Sequence, residues 1–335
     1  DIVLVAITPQ QSQWISGGLS VIIDAINYIF TYAQSQGKPA VVNLSWGCTI
    51  GPADGTSLFS QACDNLTGPG KIFVIAAGNN GNDKIHIQKN FSKQDTIVNS
   101  FIVFDNNLPF KATWLDIWGD TGRTFTLGLS LFDGSEFTDS IYVKCINNMA
   151  IDTFLIGSDN DTCFLKISIL PSDINNRSHI LVDINCKTID SLCVTVKDTV
   201  GTVNMCLGYV FGSRGYYGYF TDNNKPWATI GNSEMTLGEM ATTKSAITVG
   251  AFTSKTNWTD PNGNEWSYAG YAYINSIAPF SSHGPSWDNR LKPEICAPGL
   301  TLASAINSFD TSFLPDGSQY FYAVCKYTNP TNMKD

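Results

Sequence analysis

The sequence predicts an α/β protein in which a doubly wound parallel sheet is interrupted by an all-β insert. Two observations support this prediction. Short apolar runs alternate with helical patterns over the first 88 residues, and apolar strand character returns near residue 245. Between these two parts the apolar residues follow a two-residue period instead. Buried parallel strands give the first kind of pattern, and half-buried antiparallel strands give the second.

The first part of the chain shows strands and helices in alternation. IVLVAI (2–7), AVVNLS (40–45) and KIFVIAAG (71–78) are apolar runs with the length of buried parallel strands. Apolar residues recur at helical spacing from 19 to 33. A second helical pattern precedes the third run and places on one apolar face Leu58, Phe59, Ala62, Cys63 and Leu66. This βαβαβ order predicts a parallel sheet that is covered by helices and has right-handed crossovers.

The middle of the chain predicts antiparallel strands. In RTFTLGLSLF (123–132) the leucine residues alternate with small or polar residues. The same period recurs in CFLKISIL (163–170), SHILVDINC (178–186), SLCVTVKD (191–198) and VNMCLGYVF (203–211). Polar turn clusters separate these runs, as is typical of a β-sandwich.

These patterns divide the chain into three segments. We predict that residues 1–88 form the first part of an α/β core and that residues 235–335 form its second part. Residues 89–234 form the inserted β-sandwich domain, which has an ordinary length for a domain.

Composition excludes several classes of protein. Only 20 Lys and Arg residues stand against 29 Asp and Glu residues, and no basic stripe occurs, so we expect no nucleic-acid partner. No apolar run reaches the length of a membrane span. The nine cysteines include no C-x-x-C pair, which argues against a zinc site. Their odd number argues against a closed disulfide framework, and we expect most of them to be core-filling thiols.

Two predicted strands end in unusual residues. Ser45-Trp46-Gly47 follows one strand, and Gly78-Asn79 closes another. Ligands of open α/β sheets bind at the carboxyl ends of the strands, and a fixed Asn amide there would be a neutral donor to an oxyanion. Viewed locally, however, Gly78 and Asn79 are better explained as residues that turn the chain.

Four segments, taken together, change that interpretation. VVNLSWG, VIAAGNNG, ITVGAFTS and APFSSHGPSWDNRLKPEICAPG occur in this order. In this order they resemble the subtilisin-like serine peptidases, the subtilases, and the last segment is the most specific. The resemblance covers about residues 1–83 and 235–310. The place of the insert, with GPADGTSL after NLSWG, resembles the clostridial spore-germination protease branch, which carries a jelly roll inside the subtilase domain.

The resemblance implies roles for single residues. Asn79 matches the side-chain donor of the oxyanion hole, and Ser45-Trp46-Gly47 matches the segment that pairs with substrate backbone. Ala77 and Gly78 match one wall of the primary specificity pocket. Packing in the core is the alternative explanation for Trp46. Gly17-Gly18-Leu19 is a weaker match to a segment that contacts substrate farther from the cut.

The chain departs from the family at the catalytic triad. The family's Asp and its H-G-T-H-type motif precede the strand that matches IVLVAI, and its nucleophile lies in G-T-S-M after A-P-G. No residue of the chain matches these motifs. We therefore expect a central fragment or processed product that lacks the triad and is inactive alone. Its partners would be a protein or peptide substrate and the missing flanking segments of the same domain.

Some residues imitate the triad without its context. Gly55-Thr56-Ser57-Leu58 precedes Asn79 at a helix start, so Thr56 or Ser57 is better explained as a helix cap. None of the three histidines, His86, His179 and His283, lies in the family's histidine motif, and we expect them to be structural or exposed. Cys325 lies near the expected place of the nucleophile, but no base is available to activate it.

The resemblance also bears on cofactors and location. Subtilases often bind calcium, but no D-x-[DN]-x-[DN]-G loop occurs here, so we assign no metal and expect no cofactor. The resemblance implies a bacterial protein that is secreted or extracytoplasmic. The inserted sandwich either restricts access to the substrate cleft or is a stabilising appendage, and the sequence favours neither.

Three functions compete. The chain is a portion of a subtilisin-like serine endopeptidase, or a non-catalytic pseudoprotease that binds peptides or a partner protein, or an unrelated α/β ligand-binding protein. The third is the weakest because neither G-x-G-x-x-G nor a Walker loop follows a strand.

Overall fold

The computed structural model describes residues 2–5, 19–104, 111–171, 175–208, 218–303 and 321–323. Its strands form one parallel sheet, two antiparallel sheets and a small hairpin. The strands of the parallel sheet, in spatial order, are β1 (Ala40–Leu44), β2 (Lys71–Ala76), β14 (Ile247–Thr253) and β17 (Ile295–Leu300). The predicted α/β sheet is therefore present.

Two helices cover one face of the parallel sheet. Helix α1 spans Ser20–Ser35 and ends before Gly37, whose φ of 63° only glycine adopts easily. Helix α2 spans Leu58–Leu66. Both helices share a core cluster with the inward residues of β1 and β2, including Val42. Because both described helices lie on the same face, the doubly wound arrangement is not confirmed.

The other face of the parallel sheet carries exposed apolar side chains among the residues that the structure describes. Val41 of β1 lies beside Ile72 of β2, and both are exposed. Ile247 of β14 and Ile295 of β17 are exposed on the same face. Parallel sheets are ordinarily covered on both faces, so this open face is unusual.

Two antiparallel sheets share one hydrophobic core. The six-stranded sheet contains, in spatial order, β3 (His86–Phe91), β12 (Gly201–Gly208), β5 (Lys111–Thr121), β10 (Arg177–Cys186), β9 (Thr162–Ile169) and β8 (Met149–Ile156). The five-stranded sheet contains β13 (Tyr219–Thr221), β4 (Ile97–Val103), β11 (Ser191–Lys197), β6 (Thr126–Phe132) and β7 (Phe137–Lys144). The shared core draws on both sheets, as in a β-sandwich. The jelly-roll connectivity is not confirmed.

The two kinds of sheet separate along the chain. The strands of the parallel sheet come from 40–76 and 247–300, and the strands of the two large antiparallel sheets come from 86–221. The domain boundaries at residues 88 and 234 stay a prediction. A short hairpin of β15 (Asn257–Thr259) and β16 (Glu265–Ser267) follows β14.

Two sequence predictions about these elements were wrong. Ile2 to Val5 form no strand, and 6–7 of the same run lie outside the described residues. Leu58 was predicted on the buried face of α2 but is exposed, because the helix begins there and turns Phe59 and Cys63 inward. Within the described residues no helix has the length and apolarity needed to cross a membrane.

Candidate functional site

The predicted site residues meet at one edge of the parallel sheet. Ser45-Trp46-Gly47 follows the end of β1, and Ala77-Gly78-Asn79 follows the end of β2. The two strands are parallel neighbours with Leu44 opposite Ile75, so both segments leave the sheet at its carboxyl edge. This edge is where open α/β sheets bind ligands.

Gly78 makes a turn that no other residue could make easily. Its φ is 114°, and a Cβ built on it would lie 2.8 Å from the Ser282 hydroxyl oxygen. The Ser282 N–H donates to the Gly78 carbonyl at 3.0 Å. The FSSHGP segment, which contains Ser282, therefore packs directly against the corner that Gly78 forms.

The corner presents Asn79 to solvent and buries Asn80. The Asn80 N–H donates to the Ser282 hydroxyl at 2.9 Å, and its side-chain amide donates to the Asp83 carboxylate at 2.7 Å. Asn79 is exposed between Gly78 and Asn80, whose backbone groups both bond to Ser282. The backbone on either side of Asn79 is therefore held in place, and its exposed amide is a neutral group that can donate a hydrogen bond to an external acceptor.

The segment after β1 is exposed at two of its three residues. Ser45 and Gly47 are exposed, and a Cβ built on Gly47 would meet no atom within 4 Å. The Ser45 hydroxyl accepts a hydrogen bond of 3.3 Å from the Asn43 side chain. Trp46 is half-buried against the core beneath α1 and α2, so its ring contributes to packing.

A third segment, which the sequence did not indicate, completes the corner. The Gly238 N–H donates to the carbonyl of Ala77 at 2.9 Å, and the Glu239 N–H donates to the carbonyl of Cys48 at 2.7 Å. Ala77 is itself buried. Gly238 and Glu239 thus tie the ends of β1 and β2 together. A single Gly-Glu pair in a polar stretch gives no signal by which sequence alone could have found it.

Glu239 is a buried acid beside this corner. Its side chain is 3% exposed, and its Oε1 has no hydrogen-bond partner among the described residues. Burial, reinforced by the carboxylates of Asp54 and Asp116, raises its pKa to about 7 against an opposing hydrogen bond with Ser57. A carboxyl group with this pKa changes its charge in the neutral range.

One ion pair and one hydrogen bond join the loop after β1 to the six-stranded antiparallel sheet. Asp54 of the loop pairs with Arg177 of β10. Asp116 of β5 accepts a 2.7 Å bond from the Gly51 N–H and lies 2.6 Å from the ring nitrogen of His179. The antiparallel unit is therefore bound to the segment that leads from the candidate site into α2.

The residues that imitate a triad have structural roles. The Ser57 hydroxyl accepts a 3.1 Å bond from the Ser60 N–H, so Ser57 is the N-cap of α2, as predicted. His86 is buried beside Trp287, and His179 stacks on Trp118. Burial lowers the pKa of His86. The predictions for His86 and His179 are confirmed.

Two more residues were considered as possible members of a triad, His283 and Cys325. His283 is exposed, as predicted, and Cys325 lies outside the described residues.

Cys163 and Cys186 form a disulfide between β9 and β10. Four of the free thiols are buried, as expected of core-filling cysteines: Cys63, Cys145, Cys193 and Cys206. In the part of the chain that the structure describes, no three His, Cys, Asp or Glu side chains are placed to share a metal ion.

The K-P-E segment fastens the second half of the core. The Lys292 ammonium is buried and donates to the Ala246 carbonyl at 3.0 Å and to the Glu294 carboxylate at 2.7 Å. Glu294 in turn accepts a 2.8 Å bond from the Thr248 N–H in β14. This part of the motif therefore has a structural role.

Comparisons with known proteins agree with this architecture. No curated protein matches the chain in sequence. A solved structure of the CspB protease of Clostridium perfringens is similar, with a TM-score of 0.60 and 18% identity. The match covers 86% of this chain and 53% of that one, so the chain spans about half the length of that protease chain. At this identity the similarity concerns the fold alone.

The family comparison is more decisive. The family model described as "Subtilase family" matches residues 6–106 and 165–324, which is more than half of the 335 residues. The chain belongs to the subtilase family.

Proposed function

We propose that the chain is a portion of a subtilisin-like serine endopeptidase and that Asn79 is its oxyanion-hole donor. The observation that carries the proposal is the corner after β2. There Gly78 packs against Ser282, Asn80 is held by Ser282 and Asp83, and only Asn79 faces outward. A fixed neutral donor at the carboxyl edge suits the negative oxygen that develops during acyl transfer.

The neighbouring segment suits an extended peptide. Ser45 and Gly47 are exposed at the same edge, and the absence of a side chain on Gly47 lets a substrate backbone approach closely. Ala77 and Gly78 provide one wall of the pocket beside it. In this proposal, substrate pairs with Ser45-Trp46-Gly47 and places its scissile carbonyl near Asn79.

In the proposed enzyme, the residues that cleave the peptide bond lie in segments outside this chain. A serine attacks the peptide carbonyl, a histidine takes the serine proton and passes it to the leaving amine, and an aspartate orients the histidine. No residue of the chain matches the family's motifs for these three groups. We therefore propose that the chain alone is inactive and that flanking segments of the same protease domain supply them.

The exposed apolar face of the parallel sheet supports the proposal that flanking segments pack against this chain. Val41, Ile72 and Ile295 are exposed there, although an apolar sheet face is ordinarily covered in an α/β protein. Segments that cover this face would also make the sheet doubly wound. We further propose that the antiparallel unit is a jelly roll inserted into the subtilase core, that the whole protein is bacterial and secreted or extracytoplasmic, and that it needs no cofactor.

A fluorophosphonate probe tests the proposed function. This reagent forms a covalent bond with an activated serine, so the longest natural form that contains the chain is expected to be labelled. The isolated 335-residue chain is expected to remain unlabelled under the same conditions. If the natural form folds correctly and still fails to label, the endopeptidase proposal is wrong and a peptide-binding pseudoprotease takes its place.

A further inference from the structure

An aromatic hairpin extends the carboxyl edge of the parallel sheet beyond β14. We call the stretch 254–278 the aromatic hairpin; it contains β15, β16 and the segment that returns to the sheet. Several of its large side chains are exposed, among them Tyr273 at 70%, Ile274 at 56% and Tyr271 at 48%. No Asp, Glu, Lys or Arg occurs between Glu265 and Asp288. From Trp266 to Ala278 the aromatic hairpin is therefore rich in apolar and aromatic side chains and carries no charged one.

Internal contacts hold the aromatic hairpin in shape. The buried Asp260 carboxylate accepts hydrogen bonds from the Asn262 and Asn264 N–H groups, both 2.9 Å, and from the Trp266 ring at 3.1 Å. The rings of Tyr268 and Tyr271 pack with centroids 6.0 Å apart. Aromatic side chains that are already ordered lose little entropy when they bind a partner.

The return segment connects the aromatic hairpin to the Asn79 corner. The Ala278 N–H donates to the Ala251 carbonyl in β14 at 2.9 Å. Two residues later, the Phe280 carbonyl accepts a 2.8 Å bond from the Gly81 N–H. Ser282 then bonds to Gly78, as described above. An unbroken, hydrogen-bonded path of chain thus runs from the exposed aromatic side chains to the corner that presents Asn79.

The order of the strands fixes the direction of this extension. In the order β1-β2-β14-β17, Ser45-Trp46-Gly47 leaves the sheet beside β2 on one side, and the aromatic hairpin leaves it beside β2 on the other. Asn79 lies at the end of β2, between them. A polypeptide that lies across this edge and meets both surfaces passes Asn79 at its middle.

We propose that the aromatic hairpin is a second contact surface for the polypeptide substrate. It binds an uncharged stretch with large apolar or aromatic side chains, on the far side of the cut bond from Ser45-Trp46-Gly47. This inference rests on the proposed function, because that function supplies the polypeptide. Exposed, ordered Tyr and Trp side chains are the residue types that contribute most to binding at protein interfaces.

Binding of an unfolded polypeptide to the chain tests this inference. The probe is fluorescein-labelled lysozyme that has been reduced and carboxymethylated, and the readout is fluorescence anisotropy. The triple variant Tyr271→Ser, Tyr273→Ser, Ile274→Ser is expected to raise the Kd on the order of tenfold. The single variant Tyr273→Ser removes only one exposed ring, so it preserves the fold, and it is expected to raise the Kd about threefold.

A matched pair of tyrosines provides the control. Tyr28 and Tyr32 of α1 are 57% and 45% exposed and stack on one another away from the carboxyl edge. The double variant Tyr28→Ser, Tyr32→Ser is expected to bind the probe as the unaltered chain does. Unchanged binding by both hairpin variants, or no binding of the probe by the unaltered chain, would overturn the inference.

The endopeptidase proposal is tested by fluorophosphonate labelling, and the aromatic contact surface is tested by probe binding. Fluorophosphonate labelling of the longest natural form, without substitution, tests the endopeptidase proposal alone. Labelling of that form, with unchanged probe binding by both hairpin variants, overturns the aromatic surface and leaves the endopeptidase proposal standing. Absent labelling with weakened probe binding overturns the endopeptidase proposal and supports the aromatic surface.

Discussion

Gly78 and Ser282 fit together at the corner of the candidate site. The Ser282 N–H donates to the Gly78 carbonyl, and the Ser282 hydroxyl occupies the space that any side chain on Gly78 would need. Two segments that are distant in sequence therefore hold the backbone on which Asn79 is placed. The sharpest sequence motif of the second half, FSSHGP, has its structural explanation in this contact.

Replacement of Gly78 tests this contact. Gly78→Ala introduces backbone strain of about 1–3 kcal/mol because of its positive φ, and a clash with Ser282 of about 1–3 kcal/mol more. Gly134 is the matched control: its φ is 111°, but a Cβ there meets no atom within 4 Å. Urea unfolding of the chain is expected to show a larger loss for Gly78→Ala than for Gly134→Ala. Equal losses would contradict the packing that we describe.

Glu239 gives the chain a pH-dependent stability. Because its pKa of about 7 in the folded state exceeds the usual value of 4.5, the folded chain binds more protons than the unfolded chain between these pH values. Its contribution to stability is therefore greatest below about pH 4.5 and is lost as the pH rises through 7. Glu239→Gln removes this loss.

Unfolding at two pH values checks the prediction. The free energy of unfolding of Glu239→Gln, relative to that of the unaltered chain, is expected to increase by about 2.5 kcal/mol between pH 5 and pH 8. A difference that stays constant between these pH values would mean that Glu239 does not titrate as its buried position implies.

Lys292 is expected to matter for stability. Its buried ammonium bonds to the Ala246 carbonyl and to Glu294, so Lys292→Met leaves these acceptors without their charged donor. The free energy of unfolding is expected to fall by about 1.5–3 kcal/mol. Lys93→Met, at an exposed lysine, is expected to change it by less than about 0.5 kcal/mol. Equal effects of the two variants would refute the buried role.

The thiols are expected to react in an order set by burial. Cys296 is exposed, whereas burial raises the pKa of Cys63 to about 12 and that of Cys193 to about 11. Thiolates are the reactive species, so buried thiols of high pKa react slowly. In native chain treated with iodoacetamide, mass spectrometry is expected to show Cys296 modified before Cys63 and Cys193. Faster modification of a buried thiol would indicate that the core opens.

Strands with a clear period were predictable. The alternation in 126–132 and 191–197 identified β6 and β11, because one side chain in two faces the shared core. β5 escaped prediction because apolar and polar residues do not alternate regularly in its sequence, KATWLDIWGDT. The local sequence around Asp116 in β5 suggests a surface residue. Its burial is explained by its hydrogen bonds with the Gly51 N–H and the His179 ring.

The site was predictable only where a motif carried it. Asn79 and Ser45 follow recognisable strands, so their common edge could be inferred from the βαβ order. Glu239 could not be found, because its burial depends on packing against Gly51, which is distant in sequence. The aromatic hairpin was also missed, because its short strands show no sustained alternation.

Asn79 and Asn80 offer a contrast within one corner. Asn80→Ala removes the 2.7 Å bond to Asp83 at a buried position and is expected to lower the free energy of unfolding by about 1–2 kcal/mol. Asn79→Ala alters an exposed side chain and is expected to change it by less than about 0.5 kcal/mol. Urea unfolding of the two variants separates these roles.

Turnover by the longest natural form with Asn79→Ala is the most direct test of the central claim. If Asn79 donates to the oxyanion, kcat is expected to fall by about 10² to 10³ while KM stays nearly constant, because the bond forms only in the transition state. That magnitude was measured in subtilisin, a member of the same family, and is adopted from it. A variant that labels with fluorophosphonate and keeps the full kcat would contradict the assignment of Asn79.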